Sequence, residues 1–435
     1  MRKLISFLGA NPPSNNYKRT IYKYGQLEHE SLYATAAMAK IFNSDQVYVF
    51  VTPQAKFNNF DLLTQHMNEA NLTEPIACDI PIGENNTEIW QIFNAITNTL
   101  QDGDTIIFDI TNGLRSLPIL GFIACAYITS VRKVTIEHLV YGAFEVKKDI
   151  MLSDGDPATE SPVFDLTPFL TLLDWTTATN TFIQTGRAEQ LTKLAETFKN
   201  DAVEGFAKQV HKLSQELLTT RPVGVIQAAS GFEQALAKVE AAVQQNPAMQ
   251  PYQQLLERIK DEYSPFAIAT DPLADLTEAY RQARSDQQGF LRIQIKMIRQ
   301  YLDKGLPIQA MTLAREWLVS LGVYHQGSHD IFNYKDREVI ARMLNQNSWS
   351  EDPRPTETLQ PHLKQIREVW SGITLDPNDK TEATNHVRND IAHCGMTPVF
   401  IKNGRKQLNV RTAADIIDQT IKICDRLESL LATIV

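Results

Sequence analysis

Cysteine is scarce in this chain of 435 residues, which holds only Cys78, Cys125, Cys394 and Cys424. No two of them stand in a Cys-x-x-Cys spacing, the spacing that zinc sites and redox motifs use. Four widely separated residues do not make a disulfide framework either. We therefore expect reduced, mostly buried thiols, as is typical of a cytoplasmic protein.

The chain also lacks an excess of positive charge and any apolar run of membrane-spanning length. Lys and Arg number 42 against 51 Asp and Glu, a net charge of −9, which disfavours a broad basic surface for coating nucleic acid. A small local anion site stays compatible with that balance. The longest apolar run, 117–131, is too short to span a membrane and follows Arg115. The apolar start ends at Ala10 before a polar, proline-containing stretch, so no signal peptide is expected.

The common nucleotide and metal fingerprints are absent from the sequence. There is no Gly-Lys-Ser/Thr of a Walker loop, and no Gly-x-Gly-x-x-Gly follows the first strand. No carboxylate cluster for two-metal hydrolysis stands out. ATPase, dinucleotide-dependent and metal-dependent nuclease functions are therefore disfavoured.

The first ~150 residues alternate between strand and helix periodicity. Compact β-branched and aromatic runs predict strands at 4–8, 47–52, 105–110 and 134–141. Helical spacing predicts helices at 26–42, 87–100 and 116–131. Such alternation indicates a Rossmann-like parallel sheet with helices on both faces. Ligands of such sheets bind beyond the carboxyl ends of the strands.

The loop that follows the first strand, residues 9–25, is long for this class of fold, which points to function or disorder. It interleaves cations and aromatics: Tyr17, Lys18, Arg19, Tyr22, Lys23 and Tyr24. That mixture suits phosphates and bases. The candidate ligand residues here are Gly9, Asn11, Tyr17 and Lys18. An exposed, solvated loop is an equally good interpretation of this stretch alone.

A second candidate loop, residues 109–118, leaves a predicted strand and enters a helix. Thr111, Asn112 and Gly113, with the amides of the helix N-terminus, can hold an anion, and Arg115 can add charge. A plain strand-to-helix turn remains the alternative interpretation.

The chain changes character after a polar, turn-rich stretch at 154–162, which we interpret as a boundary. Nearly continuous helical segments follow, so we predict an α/β domain at 1–165 and a helical region at 166–435. Between the last two helices, Asn403-Gly404 separates two apolar runs and predicts a small hairpin.

Near the C-terminus, Arg388 and His393 stand five positions apart in Arg-Asn-Asp-Ile-Ala-His. Asp379 and Glu382 form a capping-box pattern and Gly395 a C-terminal stop, which predicts a helix around them. Arg can hold phosphate oxygens and His can move a proton near neutral pH. On these six residues alone, a solvated Arg with a His packed at the helix end is the favoured interpretation. On an ideal helix the two are about 140 degrees apart, so a joint site needs long side chains, a distorted turn or a second subunit.

Together these stretches resemble the CRISPR-associated ancillary ribonucleases that join a CARF sensor domain to a HEPN nuclease domain. The start Leu-Ile-Ser-Phe-Leu-Gly-Ala with its tyrosine-rich loop resembles the family's first ligand loop. Residues 109–118 resemble its second, and 388–393 fit the HEPN Arg-x4-His motif. Residues 165–175 resemble the entry into the helical half. Asn112 departs from relatives, which often carry His there.

The resemblance implies a cytoplasmic, metal-independent endoribonuclease of type III CRISPR defence, acting on single-stranded RNA. Cyclic oligoadenylate, with cyclic tetra-adenylate the expected ring, would bind across a CARF homodimer and activate it allosterically. Higher assemblies would be oligomers of dimers. His393 would be general base or acid, Arg388 would stabilise charge, and Asn389 would orient either group. The products would carry a cyclic phosphate and a 5′-hydroxyl.

Two other functions compete with this interpretation. One is a ligand-sensing regulator whose helical half binds a partner or nucleic acid without cutting. The other is an α/β nucleotide-using enzyme with a helical oligomerisation domain, which the missing phosphate-loop fingerprints disfavour.

Overall fold

A computed structural model describes residues 1–11, 18–112, 116–269, 271–328, 330–345, 354–373, 399–402, 405–408 and 412–434. The chain divides into two compact units, Met1–Leu173 and Asp174–Val435. The predicted boundary at 165/166 stays a prediction.

The first unit is built on a single mixed sheet. Its strands are β1 (Arg2–Phe7), β2 (Thr20–Tyr24), β3 (Leu27–Ser31), β4 (Gln46–Val51), β5 (Pro75–Asp79), β6 (Thr105–Asp109), β7 (Thr135–Gly142), β8 (Lys148–Met151) and β9 (Pro157–Asp165). The order is β3-β2-β9-β7-β6-β1-β4-β5, with β8 paired to β9. The five strands from β7 to β5 run parallel. This confirms the predicted Rossmann-like parallel sheet.

Helices cover both faces of that sheet. They are α1 (Ala34–Ile41), α2 (Asp61–Glu69), α3 (Asn86–Asn98) and α4 (Ser116–Val131), followed by α5 (Thr167–Thr185). Two separate hydrophobic clusters result. In one cluster, residues of α1 and α2 pack with Val47 and Val49 of β4. In the other, residues of α3 and α4 pack with Phe50 of β4 and Phe108 of β6. Alternate residues of one strand thus feed opposite cores, as the period of two requires.

The strand order places the two predicted ligand loops side by side. After β2 and β3 the chain adds β4 and β5 on one side of β1, and then returns to β6 on the other side of β1. The order therefore reverses between β1 and β6, where Ile5 is paired with Phe108. Ligands of open α/β sheets bind at this reversal, beyond the carboxyl ends of the strands. The loops after β1 and β6 both start there.

Three local predictions for the first unit are wrong. Residues 27–31 form β3 rather than the start of a helix, and helix α1 begins only at Ala34. The first loop is shorter than expected because Thr20–Tyr24 forms β2, a strand antiparallel to β3. The polar stretch interpreted as a boundary supplies β9, which pairs with β2, β7 and β8. Two of its polar residues, Thr159 and Ser161, are buried, and the Thr159 hydroxyl lies 2.8 Å from that of Thr20 on β2.

The described part of the second unit is almost wholly helical, as predicted. The helices are α6 (Glu189–Phe198), α7 (Asp201–Leu218), α8 (Pro222–Ala229), α9 (Phe232–Gln245), α10 (Gln250–Tyr263), α11 (Leu276–Ser285), α12 (Gln287–Asp303), α13 (Pro307–His325), α14 (Tyr334–Asn345), α15 (Gln360–Ile373) and α16 (Ala413–Ile434). The predicted hairpin is confirmed by antiparallel β10 (Val399–Lys402) and β11 (Arg405–Leu408). No helix in the described ranges is long and apolar enough to cross a membrane.

Candidate ligand-binding site

A cavity of about 360 Å³ opens at the sheet reversal in the first unit. Its lining residues come from both predicted loops and from the elements beside them: Gly9, Asn11, Lys18, Thr20, Tyr22, Leu32, Ala34, Thr111, Asn112, Phe144 and Lys147. All five predicted ligand residues that lie in the described part of this unit are among them. The size suits a compact polar ligand or one segment of a larger one.

A buried carboxylate organises the wall of the cavity. Asp109 ends β6 with none of its surface exposed. Its Oδ1 accepts hydrogen bonds from the amide and hydroxyl of Thr111, the amide at 2.9 Å. Its Oδ2 lies 2.8 Å from Ser6 Oγ, which in turn lies 2.8 Å from Thr35 Oγ1. One side chain thereby ties β1, β6 and α1 together at the reversal.

Thr111 is locked from both sides. Its hydroxyl donates to Asp109 and accepts from the amide of Gly142 at 2.8 Å. A Cβ at Gly142 would lie 3.2 Å from Thr111 and from the Tyr22 ring, so glycine allows this close approach. Burial raises the pKa of Asp109, against the hydrogen bonds from Thr111 and Ser6, which lower it. The turn is held rigidly before any ligand arrives.

Two cations line the cavity, and one of them was not predicted. Lys18 is exposed at the start of the described segment. Lys147 Nζ lies 3.8 Å from the centroid of the Phe144 ring, which leaves an aromatic face and a cation at the same wall. A phosphate can be paired by the lysines and a base can stack on the ring.

The other two cations of the first loop serve the fold instead. Arg19 pairs with Glu30 at 2.5 Å and with Asp154 at 2.9 Å, across β2, β3 and the β8–β9 turn. Lys23 pairs with Glu160 at 2.6 Å. The side-chain hydrogen bond from Lys23 lowers the pKa of Glu160. The loop's mixture of cations and aromatics, which suits a phosphate, therefore does not place these two side chains in the cavity.

The N-terminus of α1 adds a backbone anion site. Ala34, its first residue, lines the cavity. Within the described residues the helix has no side-chain cap and no acidic residue in its first turn. Its first amides therefore keep unmet donors and the positive end of the helix dipole. Phosphate oxygens are the natural acceptors for such a helix end.

A single turn of π-helix, Lys56–Phe60, clamps the first loop. Asn59, which is 1% exposed, donates to the carbonyls of Gly9 at 2.8 Å and Asn11 at 2.7 Å. Asn58 donates to the carbonyl of Ala10 at 2.6 Å. Such turns often occur at functional sites, and this one fixes the backbone where the loop enters the cavity.

We expect Asn59→Ala to loosen that loop. Two buried hydrogen bonds disappear together, which costs about 1–3 kcal/mol of unfolding free energy. Affinity for the cavity's ligand is expected to fall as well, because the loop must then be ordered on binding. Denaturant titration and a binding assay measure both effects. Asn58→Ala removes two exposed hydrogen bonds, one to Ala10 and one from Gln54, and should have the smaller effect. Equal effects of the two variants would contradict a clamp centred on Asn59.

Six predicted site residues lie outside the described residues. They are Tyr17, Gly113 and Arg115 of the two loops, and Arg388, Asn389 and His393 of the motif near the C-terminus. Their roles stay predictions.

The sequence missed several residues that line the cavity, chiefly Thr20, Phe144 and Lys147. Phe144 and Lys147 follow β7, whose carboxyl end lies beside that of β6. A search of every segment that follows a predicted parallel strand would have included 142–147. The position of residues 142–147 after a predicted strand was therefore visible in the sequence, but only the strand order shows that this strand lies beside β6.

Comparison with known proteins agrees with this architecture. Residues 3–145 match the family described as the CARF domain of the CRISPR system endoribonuclease Csx1. The first unit contains a CARF domain. Residues 171–265 match a second family, described as the second domain of the CRISPR-associated protein MJ1674. The chain is therefore a CRISPR-associated protein with a CARF domain, followed by a helical half.

Two individual proteins are similar to this CARF protein. The CRISPR-associated protein MJ1674 of Methanocaldococcus jannaschii is 24% identical over 155 residues, which are 33% of this chain and 23% of that protein. A structure of Enterococcus italicus Csm6 bound to cyclic hexa-2'-fluoro-hexa-dAMP covers 100% of this chain and 94% of its own, at 11% identity and a TM-score of 0.44. The fold assignment rests on the CARF match and on the strand order.

Proposed function

We propose that this CARF protein is a cyclic oligoadenylate-activated, metal-independent endoribonuclease that cleaves single-stranded RNA in type III CRISPR antiviral defence. The observation that carries the proposal is the convergence of Gly9, Asn11, Lys18, Thr111 and Asn112 on one cavity of a CARF domain. The catalytic half of the proposal rests on the Arg388 and His393 motif.

The cavity has the chemistry that a ring of phosphates and adenines needs. Lys18, Lys147 and the uncapped start of α1 suit phosphate oxygens. Tyr22 and Phe144 supply aromatic surface for adenine. A cyclic oligomer repeats the same groups, so two copies of this cavity related by a two-fold axis would hold it symmetrically. Cyclic tetra-adenylate is the proposed ring.

Cleavage would use the 2′-hydroxyl of the RNA itself as the nucleophile. His393 would take its proton or return one to the leaving oxygen, and Arg388 would stabilise the charge on the phosphorane-like transition state. Asn389 would orient one of these groups or the phosphate. The products would be a cyclic phosphate and a 5′-hydroxyl. Two subunits would bring two copies of the motif together.

An exposed apolar stripe on α4 supports a homodimer. Ile119, Ile123, Tyr127 and Val131 recur every four residues and are 64%, 48%, 48% and 51% exposed. A stripe of this kind is unusual on a monomer surface and typical of an interface. It starts directly after the second ligand loop, so a ligand at that loop would bias the dimer.

Ile123→Glu is expected to convert the dimer to monomer, because a charge would be buried in the middle of the stripe. Ligand-stimulated cleavage should fall by about tenfold or more if the two-fold arrangement is required. Light scattering after size exclusion measures the mass. Thr129→Glu, an exposed position of α4 off the stripe, is the control. A dimer that survives Ile123→Glu, with unchanged activation, would place the interface elsewhere.

The decisive experiment is cleavage of a labelled single-stranded RNA by the full chain in EDTA, without activator and with cyclic tri-, tetra- or hexa-adenylate. Cleavage that requires one ring and leaves a cyclic phosphate supports the proposal. Ring binding without cleavage would instead favour a sensing regulator. Cleavage that is independent of every ring would remove the sensor role.

A further inference from the structure

A second cavity, of about 210 Å³, lies within the helical unit. It is bounded by α7, α8, α11, α12 and α13 and by the segment before α14. Phe290 and Gln294 of α12 are 1% and 4% exposed and form its buried wall. Leu276 and Tyr280 of α11 are 44% and 39% exposed and form its rim. The volume is below that of pockets for drug-sized ligands, about 300–1,000 Å³, so the occupant is small.

The side-chain amide of Gln294 is buried and lacks hydrogen-bond partners within the described residues. Its Oε1 is buried and has no hydrogen-bond partner among the described residues. No hydrogen bond of its Nε2 is found there either. Buried amides in folded proteins are nearly always paired, because an unpaired one loses its hydration without compensation. A ligand that supplies both a donor and an acceptor would satisfy Gln294.

The charged groups around the cavity restrict what that ligand can be. Arg337 is already engaged, with Nη2 at 2.6 Å from Glu316 and Nη1 at 2.9 Å from Ser320. The Glu216 carboxylate lies so close to Gly224 that a Cβ there would be 2.0 Å from it. Glu216 makes no ion pair or side-chain hydrogen bond within the described ranges. It is therefore a free acceptor for hydroxyl groups near the start of α8, and the exposed Arg221 is the remaining charged residue of the lining.

Aromatic rings complete the cavity. Phe332 packs against Phe290 with ring centroids 5.3 Å apart, and against Tyr280 at 5.0 Å in an edge-on arrangement. All three rings line the cavity. Aromatic walls of this kind stack on planar heterocycles.

We propose that this cavity binds the adenine base of a nucleoside, with Gln294 reading the base edge. A glutamine amide matches adenine because Oε1 accepts from the exocyclic amine while Nε2 donates to a ring nitrogen. Phe332 stacks on the base, while Phe290 and Tyr280, whose rings are tilted from it by 54° and 75°, contact the base edge. Glu216 accepts from the ribose hydroxyls, as acidic residues do in dinucleotide folds. The site belongs to the helical unit and does not depend on the proposed sensing or cleavage.

Calorimetric titration of the full chain with adenosine tests the site. Adenosine should bind, and purine riboside and N6,N6-dimethyladenosine should bind about tenfold more weakly or worse, because each lacks the amine donors. Gln294→Met should lower adenosine affinity by about tenfold or more. Binding that is lost in Gln294→Met belongs to this site and not to the cavity of the first unit, where adenine is also proposed to stack.

Two further variants guard the test against misfolding. Gln300→Met removes another buried glutamine of α12, one that donates to Glu262 at 3.1 Å and does not line the cavity. Its adenosine affinity should stay within about twofold of the parent protein, as expected for an independent site. Leu276→Trp fills the exposed rim without touching the core and should block binding. No adenosine binding by the parent protein, or full binding by both Gln294→Met and Leu276→Trp, would overturn the proposal.

Discussion

RNA cleavage by His393→Ala is expected to fall by about 10²–10⁴-fold, the usual contribution of a general acid or base. The reason is chemical, because the 2′-hydroxyl cannot attack efficiently unless a nearby group accepts its proton. Imidazole is the side chain whose charge changes near neutral pH. Binding of cyclic oligoadenylate should be unchanged, because the proposed ligand residues lie in the CARF domain. The measurement is single-turnover cleavage of a labelled RNA in EDTA, at saturating activator.

The same motif supplies its own control. His386 stands two positions before Arg388, and the sequence favours a solvated helix residue there over a substrate contact. His386→Ala should therefore keep cleavage within about threefold of the parent protein, as for most surface substitutions. Parental cleavage by His393→Ala would show that the reaction takes place elsewhere. Loss of activator binding in His393→Ala would mean that the variant is misfolded, and circular dichroism would confirm it.

Much of the CARF domain follows from short-range patterns. The β-branched and aromatic runs at β1, β4 and β6 are largely buried, and the run at β7 is buried over its second half, so each forms a strand of a central parallel sheet. The segments that follow β1 and β6 were predicted to bind a ligand, and the order of strands brings them to the same edge. Asp109 illustrates why this works: one polar residue at the end of an apolar strand has to be satisfied locally, and Thr111 satisfies it.

The sequence could not show which strands pair, or which charged residues pair, when the partners are distant in the chain. Leu27–Ser31 has few apolar residues and becomes a strand only because β2 lies beside it. Arg19 was expected to face a ligand, yet its carboxylate partner Asp154 is distant in sequence. Lys147 joins the cavity because β7 is a neighbour of β6. In each case the partner is fixed by tertiary structure, which periodicity does not report.

The Lys18→Ala, Lys147→Ala double variant is expected to weaken cyclic oligoadenylate binding by about 10- to 100-fold. Both ammonium groups line the cavity, and a ring of phosphates loses two charge-assisted contacts in each subunit. The affinity should also become less sensitive to salt, because fewer ions are released when the ligand binds. Titration of a labelled ring at several salt concentrations measures both quantities.

A matched variant separates local contact from overall charge. Lys23→Ala, Lys148→Ala removes the same formal charge from strands β2 and β8 of the same sheet, but neither side chain lines the cavity. Its affinity should stay within about threefold of the parent protein, because neither ammonium group lines the cavity and Lys23 is already paired with Glu160. If both double variants lost affinity equally, the loss would come from the overall electrostatic potential of the domain and not from contacts in the cavity. If neither did, the ring would bind at another surface, and the cavity at the sheet reversal would lose its proposed ligand.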